Sequence, residues 1–190
     1  MESKNIMIVG VGGQGTLLAS KLLGRILLEN GYDVKVSEVH GMSQRGGSVV
    51  TYVRCGDKVY SPIIDKGEAD IIVSFELLEA ARWAEYLKEG GILLTNTQKI
   101  NPMPVITGAA DYPKALEQKL AALPIRLDAM DALGLALQAG SAKAVNLVLL
   151  GRLSRYFHFT DEQWQDAIEK NVPAKFLELN RKAFELGRNA

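Results

Sequence analysis

Residues 5–30, NIMIVGVGGQGTLLASKLLGRILLEN, decide the fold. Asn5–Val9 is an apolar run too short for a helix, and it reads as a buried strand. The glycine-rich Gly10–Gly15 (GVGGQG) follows. Beyond it Leu18, Leu22 and Ile26 share one helical stripe, while Lys21, Arg25 and Glu29 share another. The helix is expected to close at Asn30 with Gly31 as a left-handed cap, and Val34–Val36 to follow as a second strand in the βαβ manner.

From this start the pattern extends outward. His40–Ser48 (HGMSQRGGS) carries too many glycines for a crossover helix and runs into the alternating, β-branched Val49–Arg54. Gly56–Asp57 then suggests a hairpin turn toward Val59–Tyr60. Ile71–Ser74 and Ile92–Thr95 read as strands, separated by a helix over Glu76–Lys88 that closes at Gly90–Gly91. Prolines 102, 104 and 113 mark irregular connections, Lys114–Ala122 is a helix candidate, and Ile125–Leu127 is a last short strand. From Asp131 onward the chain reads as helical. A break falls at Gly140–Ser141 before Ala142–Leu153, Thr160 and Gln163 form a capping box, and Pro173 opens a final helix to about Leu186. The expected architecture is α/β: a Rossmann-like, mostly parallel twisted sheet with an inserted hairpin. It forms a single domain over residues 1–190, of which 131–190 are mainly helical.

Composition limits the chemistry. The 190 residues carry 22 Lys and Arg against 22 Asp and Glu, with neither half strongly charged, so a nucleic-acid partner is not expected. Cys55 is the only cysteine, which excludes an intrachain disulfide, a dithiol redox pair and a cysteine-ligated cluster held by this chain alone. Cys55 lies beside the expected turn without a nearby base. Two histidines make poor zinc material, and no metal site is expected; His158, among Tyr156, Phe157 and Phe159, suits packing or a partner contact. The apolar run at the N-terminus is too short for a signal-peptide core or a bilayer span, so the expectation is a cytoplasmic protein without a membrane partner.

Two constellations are candidate sites. Gly10, Gly12 and Gly15 fit G-x-G-x-x-G between strand and helix, where backbone N–H groups at a helix start can face an anion. Gln14 adds an amide, and Thr16 can cap the helix or bond a phosphate oxygen. No Lys precedes Thr16, so this is not a Walker A loop. Glu38, near the end of the second strand, keeps NAD or FAD open through its ribose hydroxyls, while the same glycines also serve helix-on-strand packing. The second constellation is Ser37, Glu38, His40, Gln44, Arg45, Gly46, Gly47 and Ser48, whose polar density at a sheet's carboxyl edge suits ligand contact. Arg45 can hold a carboxylate or phosphate, and an Arg45–Glu38 ion pair is the plainer alternative. Glu76 and Glu79, three apart, read as a solvated helix face. Asn146, inside an apolar helix, must be buried with partners or form part of a contact.

GVGGQG at Gly10–Gly15, KVSEVHGMSQRGGSVVTYVR at Lys35–Arg54 and DKVYSPII at Asp57–Ile64 together resemble the small, gamma-type subunits of the 2-oxoacid:ferredoxin oxidoreductases, nearest to the beta subunits of the indolepyruvate branch. The likeness is strong over Asn5–Thr97 and diffuse afterwards. It implies an accessory subunit of an enzyme that oxidatively decarboxylates aryl pyruvates to acyl-coenzyme A with electrons passed to ferredoxin. Thiamine diphosphate, magnesium and iron–sulfur clusters would belong to a large alpha subunit. On the same resemblance Gly12, Gly13, Gln14, Gly15 and Thr16 become a candidate cradle for coenzyme A phosphates. Ser37, Glu38, His40, Gln44, Arg45, Gly46, Gly47 and Ser48 become the loop facing the partner or its acyl intermediate, and no residue is assigned a catalytic role. A self-sufficient NAD- or FAD-binding oxidoreductase and a non-enzymatic nucleotide-sensing module are the alternatives.

Overall fold

A computed structural model describes residues 3–40 and 46–190. Six strands form one sheet: β1 (Lys4–Val11), β2 (Asp33–His40), β3 (Ser48–Gly56), β4 (Ala69–Ser74), β5 (Leu87–Asn96) and β6 (Arg126–Met130). Their order across the sheet is β2-β3-β1-β4-β5-β6. The pairs β1–β4, β4–β5 and β5–β6 are parallel, whereas β3 runs antiparallel to both of its neighbours, so this is the expected α/β fold with one reversed strand.

The apolar run of β1 is buried on both faces, which is why it alternates between two cores and not between core and solvent. Ile6 and Ile8 meet α1 (Thr16–Glu29), α5 (Ala132–Ala139), α6 (Val145–Ser154), α7 (Asp161–Asn171) and α8 (Leu177–Asn189). Met7 and Val9 face the other way, into a smaller core closed by α2 (Leu77–Trp83) and α4 (Leu116–Ala121). Gly31 has φ of 85° and ends α1 as expected. Thr160 and Gln163 form the expected capping box, each accepting the other's backbone N–H.

Four expectations are corrected. Val34–Val36 lies within β2, but β2 does not pair with β1, because β3 is inserted between them. The hairpin at Gly56–Asp57 does not form. Strand β3 already has a neighbour on each edge, and the Val59 N–H is held by Asp33 Oδ2 at 2.8 Å, which pins the following chain across the end of β2. The hairpin of this sheet is β2–β3. The helix after β4 stops at Trp83, and Gly90 and Gly91 lie inside β5. Leu87 is buried and pairs with Ala69, so strand pairing wins over helix continuation; a Cβ on Gly91 would stand 2.8 Å from Lys88 O. Cys55 is buried within β3 and not at a turn.

The C-terminal helices cover one face of the sheet, with α6 packed along α8. Gly151 and Gly187 make that approach possible: an added Cβ would lie 2.0 Å from Phe184 O and 1.9 Å from Val148 O, respectively. Both obstacles are backbone and cannot rotate away. Gly151→Ala should therefore force the helices apart and cost about 3 kcal/mol, seen as a Tm lowered by roughly 6–12 °C. Scanning calorimetry checks this, and a Tm within 2 °C of wild type would contradict the close approach.

Candidate ligand-binding crevice

After Val11 the chain must reverse into α1 within four residues. Gly13 and Gly15 adopt φ of 101° and 87°, a region that side-chain-bearing residues rarely occupy. Gly15 is the N-cap of α1 and offers no side-chain cap. The N–H groups of Gly13, Gly15, Thr16 and Leu17 accordingly have no acceptor among the described residues, the usual orphan donors of a helix start. A Cβ on Gly13 would meet nothing within 4 Å, so the loop is open to the crevice at that point.

The Gln14 amide is engaged within the protein, and its side chain lines the second of the two clefts described below. Its Oε1 accepts the Val11 N–H at 2.8 Å and its Nε2 donates to Phe75 O at 3.0 Å, closing the loop onto the end of β4. Asn96, fully buried at the end of β5, donates to the same carbonyl at 3.2 Å and accepts the Ala132 N–H. Asn146 of α6 is also buried, with Nδ2 3.5 Å from Gly15 O. Of these two, Asn146 was visible in the sequence as a polar residue in an apolar helix; Asn96 had no such signal at a strand end.

The two constellations meet. Gly12 N–H donates to Gly47 O at 2.8 Å, and Gly46 N–H donates to Gly12 O at 3.4 Å. A cleft of about 420 Å³ opens between Gly12, Gly13, Thr16, Glu38 and Val49. A second, of similar volume, lies beyond the loop and includes Gln98 and Lys143. Glu38 stands opposite Thr51 on the α1 face of the sheet, with Thr51 Oγ1 donating to it at 3.4 Å. Ser37, one residue earlier, shares the face of Tyr52 on the far side of the sheet and does not reach this cleft. Both belong to strand β2 and not to a loop. His40 ends β2 in register with Val49. Gln44 and Arg45 lie outside the described residues, as does any Arg45–Glu38 pair.

Glu76 and Glu79 are buried, at 1% and 3% exposure, which corrects the solvated-face reading. Glu76 is the N-cap of α2, so its side chain turns back over the helix start: it accepts the Glu79 N–H, the Ile100 N–H and the Tyr112 hydroxyl at 2.9, 2.9 and 2.6 Å. Burial, and then this bond to Glu76, push the Tyr112 phenol well above its ordinary range. Glu79 accepts Ser48 Oγ at 2.5 Å and Arg82 at 3.1 Å. The signal available in the sequence was the place of Glu76 between a strand and a helix, an N-cap position.

The family model for pyruvate ferredoxin/flavodoxin oxidoreductase matches residues 5–190. The chain belongs to that family. It is 46% identical over 195 residues to the indolepyruvate oxidoreductase subunit IorB of Thermococcus kodakarensis, covering 100% of this chain and 96% of that relative. Its fold is that of the pyruvate oxidoreductase subunit PORC of Thermotoga maritima, with a TM-score of 0.76 and 24% identity over 100% of this chain and 97% of that one. It also matches 31% of a longer chain, the 2-oxoglutarate:ferredoxin oxidoreductase of Magnetococcus marinus solved with 2-oxoglutarate, coenzyme A and succinyl-CoA bound. That match covers 100% of this chain, with a TM-score of 0.77 and 17% identity. The last two likenesses concern the fold. As a member of an oxidoreductase-subunit family, the chain has its crevice where open α/β sheets bind ligands, at the carboxyl ends of β1, β4 and β5.

The tightest point of this crevice is testable. A Cβ on Gly15 would lie 2.8 Å from Asn146 Nδ2, at a φ that already disfavours alanine. Gly15→Ala should cost about 2 kcal/mol in urea unfolding. In an Asn146→Ala background the same change should cost about 1 kcal/mol less, since only the backbone strain is left. Strict additivity would contradict the contact.

Proposed function

We propose that this chain is the small subunit of a heteromeric indolepyruvate:ferredoxin oxidoreductase, acting in the cytoplasm as one gamma-type domain. The enzyme oxidatively decarboxylates an aryl pyruvate, with release of carbon dioxide, transfer of the acyl group to coenzyme A and two electrons passed to ferredoxin. The end-to-end 46% identity to an indolepyruvate oxidoreductase subunit carries this reading. We place thiamine diphosphate and its magnesium on the large alpha subunit, together with the iron–sulfur clusters, whose thiolates a chain with one cysteine cannot alone supply. Ferredoxin is met through the complex. Among the described residues no helix is long and apolar enough to cross a membrane.

The crevice fits a phosphate-bearing ligand on its own geometry: unpartnered N–H groups at a helix start, and a glycine whose missing side chain leaves the loop open. Gly12, Gly13, Gly15 and Thr16 would hold the phosphates of coenzyme A, with Gln14 shaping the loop from behind. Coenzyme A supplies the thiol that takes the acyl group. Lys143 on one side of the loop favours the anionic part of the ligand, and Glu38 on the other favours hydroxyl groups.

Glu38 beside the glycine loop also favours a second reading, direct binding of NAD or FAD by this chain alone. Calorimetric titration separates the two, because micromolar NAD or FAD binding to the isolated chain would support the second. The first predicts no indolepyruvate-dependent dye reduction by the isolated chain and full activity on co-expression with the large subunit. In that complex Gly13→Val should raise the KM for coenzyme A at least fivefold with assembly intact. Activity of the isolated chain, or an unchanged KM, would contradict it.

A further inference from the structure

The buried Glu79 has no part in the reading above, and its position demands a reason. It is 3% exposed on α2, and a carboxylate withdrawn from water there is held by partners and not by apolar packing. Its two oxygens are divided: Oε1 accepts Arg82 at 3.1 Å and Oε2 accepts Ser48 Oγ at 2.5 Å. Ser48 is the first residue of β3 and follows directly on Gly46 and Gly47, the pair that exchanges hydrogen bonds with Gly12. A continuous chain therefore runs from Glu79 through Ser48 and the Gly47 carbonyl to the Gly12 N–H, at the entrance of the loop that bears the unpartnered donors. Val11, Gly46, Ser48 and Glu79 line one cavity of about 300 Å³ behind that loop, so a slack Ser48 would have room to move.

We propose that Glu79 is a positioning residue for the oxidoreductase reaction: through Ser48 it fixes the Gly46–Gly47 strap, and through the strap it fixes the glycine loop that receives the anionic ligand. A fully satisfied buried polar network holds geometry more tightly than apolar contact does, and a binding loop needs such support from behind. The functional half of this proposal rests on the reading that Gly12–Thr16 hold coenzyme A, while the positioning half does not.

Amide hydrogen exchange on the full chain tests the positioning directly. Glu79→Ala and Ser48→Ala should each speed exchange of the Gly12 amide at least tenfold while leaving the β4 and β5 amides unchanged, and combining them should add little. Glu79→Gln keeps an acceptor for Ser48 and should stay within threefold of wild type. In the assembled complex Glu79→Ala should raise the KM for coenzyme A at least fivefold with kcat changed less than twofold, and Glu79→Gln should restore it. Unchanged Gly12 exchange in Glu79→Ala overturns the proposal, as does failure of Glu79→Gln to restore it. If Glu79→Ala does not fold, Ser48→Ala and Glu79→Gln decide by the same criteria. Gly13→Val separates the two readings. If Gly12 exchange responds as expected and neither Glu79→Ala nor Gly13→Val moves the KM, it is the coenzyme A reading that falls. If Gly13→Val raises the KM and Glu79→Ala does not, the functional role of Glu79 falls.

Discussion

The carbonyl oxygen of Phe75 receives two side-chain amides, from Gln14 in the glycine loop and from Asn96 at the end of β5. Phe75 follows directly on β4, and its own N–H donates to Val9 O in β1. The backbone of this one residue thus binds the carboxyl ends of three neighbouring strands and the loop between them. Because Phe75 sits at the end of parallel β4, it depends on the register that sets Ile6–Val9 against Ile71–Ser74. A one-residue slip would send the paired side chains into the wrong core and move the Phe75 carbonyl away from both amides. The crevice is therefore a consequence of sheet register more than of the glycine sequence alone.

The glycine sequence decides what the crevice offers. Its glycines let the backbone reverse and leave helix-start N–H groups uncovered, and the strap at Gly46–Gly47 holds the loop from the β3 side. In the proposed role the crevice receives anionic and hydroxylated groups. That role matches a subunit that shapes part of a cavity while a larger chain carries the cofactors.

What was legible in the sequence was local. Strand β1, the loop, α1 with its Gly31 cap, and the Thr160–Gln163 box each follow from period, turn chemistry and capping over a few residues. The place of β3 was not legible, because its pairing with both β1 and β2 depends on contacts distant in sequence, and a plausible Gly-Asp turn pointed elsewhere. At the site, the glycine loop and Glu38 come together as their positions on a doubly wound sheet suggest, but period-two alternation sends Ser37 to the opposite face. Glu76 and Glu79 looked exposed because helical spacing carries no information about an N-cap turned inward or about Ser48, thirty-one residues away. Asn146 was recognisable as anomalous, yet its partner Gly15 lies 131 positions earlier and only the folded chain joins them.

The central claim is that this chain completes a composite ligand site which the large subunit cannot form alone. The direct measurement is the Kd of coenzyme A for the isolated large subunit, for the assembled complex, and for a complex in which Gln14→Ala unpins the loop from Phe75. We expect the complex to bind at least tenfold tighter than the large subunit, with most of that gain lost in the Gln14→Ala complex. Equal Kd values for the large subunit and the complex would contradict it.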